Sequence, residues 1–166
     1  MRRSLLPLLA ACGAMLAVPA GASGAPAKGL CAPHETTWLA CTTSRQRWIG
    51  LCGSAAQALQ YRFGRPGAVE LRFPDDPADG PQRMVFAHYA RFQTDRVEVR
   101  FENQGNDYVL FDYHEGRTRR AGVRVTTADD REREFTCAGR VVSRLGELRT
   151  LLKCDAESAL NGGQCP

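Results

Sequence analysis

Alternation of apolar and polar side chains dominates this sequence, and it is cleanest between residues 96 and 113. Val97, Val99 and Phe101 fall on one side of the chain, Arg96, Glu98 and Arg100 on the other. A period of two is what an extended strand with one dry and one wet face requires. Residues 108–113 continue in β-branched and aromatic types, with Val109, Phe111 and Tyr113 on a shared face. Residues 102–107 between them are polar and include Gly105. This pattern predicts an antiparallel hairpin that presents a loop.

The rest of the chain reads in the same way. Residues 38–52 predict a first hairpin. Residues 59–63 and 69–73 alternate on either side of Gly64-Arg65-Pro66-Gly67, whose Pro and Gly mark a turn. Residues 74–81 hold Pro74, Pro77 and Pro81, which remove three backbone donors, and predict an exposed loop. A fifth strand is expected over 84–92, a basic polar turn over 114–120, and a last hairpin from 121–127 and 132–137. Val141, Leu145, Leu148 and Leu152 then recur at helical spacing, predicting an amphipathic helix over 140–153 despite Gly146. About nine short strands with turn signals every 8–12 residues mean a mainly-β fold. The expectation is an antiparallel β-barrel or sandwich of eight to nine strands with one short C-terminal helix. Residues 31–139 form the β domain, and residues 140–166 form a helix and disulfide-closed tail packed on it.

The N-terminus and the cysteines place this domain outside the cytoplasm. Arg2 and Arg3 precede an apolar run over 5–20 and then small residues, the pattern of a secretory signal peptide over 1–22, with cleavage after Ala27 as the alternative. Leu9-Ala10-Ala11-Cys12 resembles a bacterial lipobox, so a lipid anchor at Cys12 is the alternative to a periplasmic or secreted protein. Beyond Cys12, six of the seven cysteines remain, an even set that implies three disulfides in an oxidising compartment. A two-residue loop at Gln46-Arg47 would set Cys41 across from Cys52, within bridging distance. Cys154–Cys165 closes a short local loop, which leaves Cys31–Cys137. The competing scheme pairs Cys31 with Cys52 or with Cys41.

Charge narrows the partners. The net charge of +4 becomes +2 without the two signal arginines, too mild to imply nucleic acid. The remaining arginines are interleaved with carboxylates, as in Arg131-Glu132-Arg133-Glu134. Beyond the signal, no apolar run approaches the roughly 20 residues of a membrane-spanning helix. Catalytic signatures such as G-x-S-x-G, H-E-x-x-H or a phosphate-binding loop do not occur. His34, His88 and His114 are scattered, no C-x-x-C pair exists, and disulfide pairing leaves no thiolate nucleophile. The expectation is a non-catalytic protein without cofactor or metal, a rigid scaffold presenting Gln104-Gly105-Asn106-Asp107-Tyr108.

Around that loop the chain resembles the bacterial C-type lysozyme inhibitors, both periplasmic and membrane-anchored. The likeness runs over residues 31–137: Cys, hairpin, alternating strands, a Gly-x-x-Tyr loop, an Ala-Gly strand start and a closing Cys. The family's loop reads Ser-Gly-x-x-Tyr; Gly105 and Tyr108 match it, and Gln104 stands where the family has Ser. Ala121-Gly122 resembles the second motif, with Arg120 one position displaced from the basic residue before its Gly. The resemblance implies a small exported β-barrel that occludes a lysozyme cleft beside its catalytic carboxylates. Gln104, Gly105, Asn106 and Tyr108 would enter the cleft, and Arg119 or Arg120 would face an acidic enzyme surface. Tyr61-Arg62-Phe63-Gly64 and Val69-Glu70-Leu71 also resemble a group of exported bacterial proteins, a likeness that implies nothing about function. The alternative reading is an envelope-associated structural β protein.

Overall fold

A computed structural model of the chain describes residues 29–54, 58–161 and 165. The signal peptide and Cys12 lie outside the described residues. Ten strands are described: β1 Thr36–Thr43, β2 Trp48–Ser54, β3 Ala58–Arg65, β4 Ala68–Phe73, β5 Val85–Arg91, β6 Thr94–Asn103, β7 Asn106–Glu115, β8 Thr118–Thr126, β9 Glu132–Ser143 and β10 Lys153–Cys154. They form one curled sheet, a half-barrel, in the order β10-β5-β6-β7-β8-β9-β1-β2-β3-β4. The expectation of a mainly-β antiparallel fold holds; the strand count is ten rather than eight or nine. All neighbours are antiparallel except β10, which runs parallel to β5. The two meanders β1–β4 and β5–β9 meet where β9 pairs with β1, which leaves β4 and β10 as edges.

One face of each strand lines the inside of the curl. Leu39, Ile49, Leu51, Tyr61, Val99, Phe101, Leu110 and Val123 are all buried in one core. The stack Phe73–Phe101–Tyr108 runs through it, with ring centroids 4.4 and 4.9 Å apart and planes nearly parallel. At Gly122 on β8 the absent side chain is itself a packing feature. A Cβ there would lie 2.3 Å from the carbonyl oxygen of Phe135 on β9. Gly122→Ala is therefore expected to cost about 2–3 kcal/mol as β8 and β9 are forced apart. Urea denaturation checks this, and wild-type stability would show that the two strands separate freely.

The C-terminal helix expected over 140–153 does not form. β9 continues through Ser143 because β1 supplies a partner, pairing Leu39 with Ser143 and Ala40 with Val142. A 3-10 turn, Leu145–Thr150, follows. Leu145, Leu148 and Leu152 are nonetheless buried in the core, as their spacing demanded. A three-residue interval eclipses in a 3-10 turn and points Leu145 and Leu148 the same way. The exposed loop over 74–81 likewise contains structure, a 3-10 turn Pro77–Asp79 leading into the single α-helical turn α1, Gly80–Arg83.

The bridges are Cys31–Cys52, Cys41–Cys137 and Cys154–Cys165. The third is as expected; Cys41–Cys52 and Cys31–Cys137 are corrected, and the competing pairing of Cys31 with Cys52 is the one present. The cause is register. The β1–β2 loop is centred on Arg45, with Thr43 N–H donating to Arg47 O at 2.7 Å and Gln46 in a left-handed conformation (φ 59°). Cys41 therefore faces Ile49, and Cys52 faces Thr37. A three-residue slip relative to a Gln46-Arg47 loop puts the two cysteines on opposite faces of the sheet. Cys41 lies in the core, where β9 brings Cys137 beside it. The other face of β2 takes the N-terminal segment, which Arg62 also pins through Leu30 O and both carboxylate oxygens of Glu35.

Candidate functional site: a hairpin tip and the mouth beside it

β6 and β7 pair residue for residue from Thr94–Glu115 to Asn103–Asn106, so the hairpin has no frayed end. The expected six-residue connection is consequently only two residues long, Gln104 and Gly105, with φ of 52° and 73°. Two left-handed residues in a two-residue loop make a type I′ turn, whose twist matches that of the flanking strands. A Cβ at Gly105 would meet nothing within 4 Å, so glycine serves the backbone conformation here rather than space. The Asn106 amide donates to Gln104 O at 3.2 Å and braces the turn. Gln104 and Gly105 are exposed and Asn106 is half-buried, which brings these three expected site residues together at one rigid tip.

Tyr108 is adjacent in sequence but belongs to another surface. Two residues past the turn, it points into the curl, stacked on Phe101 and 6.1 Å from the Tyr61 ring. Burial pushes its phenol above the usual tyrosine range.

Arg119 and Arg120 are not with the tip. Arg119 pairs with His114 at the far end of β7, eight residues from Asn106, roughly 27 Å at a rise of about 3.4 Å per residue. The two arginines also point to opposite faces, as neighbours on a strand must. Arg119 turns inward and binds the buried carboxylate of Asp112 through two hydrogen bonds of 2.9 and 2.8 Å. Burial opposes ionisation of Asp112. Hydrogen bonds from Arg119 and Ser143, with Arg119 and His114 close by, nevertheless hold its pKa below the ordinary value. Arg120 lies on the outer face, bonded to Glu134 at 2.7 Å, with its guanidinium 5.9 Å from the Phe111 ring centroid.

Two features were not singled out from sequence. On the outer face, Arg100 gathers Asp155, Glu157 and Asp107, tying the C-terminal tail onto β6 and β7. Beside it Glu98 accepts from Tyr113, Arg124 and Ser158. Burial and the Glu98 carboxylate together push the Tyr113 phenol up to about 12. Inside the curl, next to Tyr108, a cavity of about 220 Å³ opens at the mouth of the half-barrel. The tail partners of Arg100, Asp155 and Glu157, lie 55 and 57 residues away in sequence, and the cavity walls come from five different strands. Spacing along the chain carries no signal for either.

The six cysteines from Cys31 onward are all in bridges. Among the described residues no group of three His, Cys, Asp or Glu side chains is placed to hold a metal ion. Within those residues, too, no helix is long and apolar enough to cross a membrane. Compared with protein-family models, curated proteins and solved structures, the chain finds no match in any of the three.

Proposed function

We propose that this chain is an exported, non-catalytic binding protein that presents the β6–β7 tip to the cleft of a partner enzyme, a C-type lysozyme being the first to test. One observation carries the reading: Gln104 and Gly105 stand exposed at the end of a hairpin whose two ten-residue strands are paired throughout. A tip so held loses little conformational freedom on insertion, which lowers one of the costs of binding. Three disulfides fit an extracellular or periplasmic setting. With Tyr108 turned inward and Arg119 spent on Asp112, the insertion falls to Gln104, Gly105 and Asn106. The same inward placement favours the second reading, an envelope-associated structural β protein, anchored at Cys12 if that cysteine is lipidated.

The test is inhibition of a C-type lysozyme by the oxidised mature protein. Gln104→Glu is the informative variant, because the side chain is exposed and the change keeps its shape. Inhibition with a dissociation constant below about 1 µM is expected. A carboxylate at the tip, set beside those of the cleft, should weaken it at least about tenfold. Absence of inhibition at tens of micromolar would overturn the lysozyme reading and leave the structural one. Tyr108→Ala is a poorer probe, since it removes a ring from the core stack.

A further inference from the structure

We propose that the mouth of the half-barrel binds a small organic acid: an apolar body of single-ring size between β3–β4 and β7–β9, its carboxylate held by Arg133. The walls are Tyr61, Phe63, Leu71, Tyr108, Val125 and Phe135. All six occupy inward positions of their strands, yet only Tyr61 is fully buried. The sheet ends at β4 instead of closing, and the other five are packed on the core yet only half-buried. Phe63 and Phe135 stand 5.5 Å apart, ring to ring, as the aromatic side of the gap.

Size sets the ligand's body. A dry apolar cavity of about 150 Å³ takes up a benzene ring, so the 220 Å³ here suits one ring with a short chain. Charge sets its head group. Arg133 is the inward position two before Phe135 and borders the cavity. Arg133 and Phe135 also border the adjoining polar recess, which Arg45 lines. Arg62, Arg100, Arg119 and Arg124 each hold a carboxylate. Among the described residues none lies within ion-pair distance of Arg133 or Arg45. Glu134, the acidic residue of the recess, is engaged by Arg120. Thr127 on the rim has its hydroxyl committed to Asp129 at 2.6 Å. Arg133 is the charged side chain that borders the cavity, and a carboxylate matches its guanidinium fork. The site stands apart from the hairpin-tip reading, since neither Gln104 nor Gly105 lines it.

The test titrates the oxidised mature protein with 3-phenylpropionate and with its uncharged counterpart 3-phenyl-1-propanol, by calorimetry and by amide chemical shifts. Shifts are expected at Val125, Thr127 and Phe135, with the acid bound about tenfold more tightly than the alcohol. Arg133→Gln, a change at an exposed side chain, should erase that difference and leave the alcohol's affinity unaltered. Leu71→Trp, which fills the cavity, should remove binding of both. No saturation by either probe at millimolar concentration would overturn the proposal. So would an affinity for the acid that Arg133→Gln does not change, or shifts that map away from the mouth.

Discussion

Removing the Cys41–Cys137 bridge with C41A/C137A will destabilise the protein by about 4–5 kcal/mol, the larger of two losses expected on breaking individual long-range ties. The bridged residues are 96 apart in sequence, and the loop-closure entropy removed from the unfolded chain grows with the logarithm of that span. By the same relation C154A/C165A, which opens a separation of 11, should cost only about 3 kcal/mol. The Cys31–Cys52 bridge shares its chain segment with the first and does not shorten that loop. Denaturant unfolding of both double variants, with the other bridges confirmed intact by non-reducing peptide mapping, measures the difference. An equal or smaller loss in C41A/C137A would mean that β1 and β9 stay associated in the unfolded chain without the bridge. The effect matters for the proposed sites because, among the described residues, β1–β9 is the strand pairing that joins the β1–β4 meander to β5–β9. The cavity walls come from both sides of that seam.

Arg100→Met should cost about 3 kcal/mol at neutral pH, for a different reason. The Arg100 guanidinium donates to Asp155 at 2.7 and 2.9 Å, and the Asp155 side chain is only 4% exposed. Methionine keeps much of the packing and leaves a buried carboxylate without its cation, which is far more costly than an exposed pair is worth. The pH dependence follows from the sign of the shift. Burial opposes ionisation of Asp155, but the Arg100 hydrogen bonds, the Glu157 and Ser158 backbone N–H groups and the Arg100 charge hold its pKa below the ordinary value. Its contribution is thus complete above the unfolded value near 4 and is lost as pH falls below it. Without Arg100 the burial effect is left with less to oppose it. The gap between wild type and variant should then be widest at pH 7 and narrow as the pH approaches 3. Adding Asp155→Asn to Arg100→Met should recover at least half of the loss. A gap independent of pH, or no recovery, would assign the effect to lost side-chain packing instead of the stranded charge.

Much of the fold was legible because a strand's period of two is a strictly local property. Val97, Val99 and Phe101 had to share a face whatever they paired with, and they do. Turn chemistry was equally local: Gly105 at a left-handed position and the prolines after Phe73 ended strands where they stood. An even set of six cysteines implied three bridges before any geometry was known. The apolar spacing of Leu145, Leu148 and Leu152 told which side chains would be buried. It could not tell a helix from a 3-10 turn after a strand, because intervals of three and four fit either, and β1's need for a partner decided it.

What only the tertiary structure decided was register, neighbour and face. Alternation cannot say which face is the inner one, nor which strand lies alongside. A loop centred on Arg45 instead of Gln46-Arg47 was enough to send Cys41 inward and Cys52 outward and to exchange their partners. The same limit governs the site. A presented loop over 102–107 was identifiable from its polar residues and Gly105, but not that its tip is only Gln104 and Gly105. That Tyr108 faces the core, that Arg119 and not Arg120 is the one turned inward, and that Arg133 borders an open cavity depend on β7, β8 and β9 curling toward β3 and β4. Those contacts join residues up to about 70 positions apart, and their energies arise from burial and long-range pairing that no short window of sequence contains.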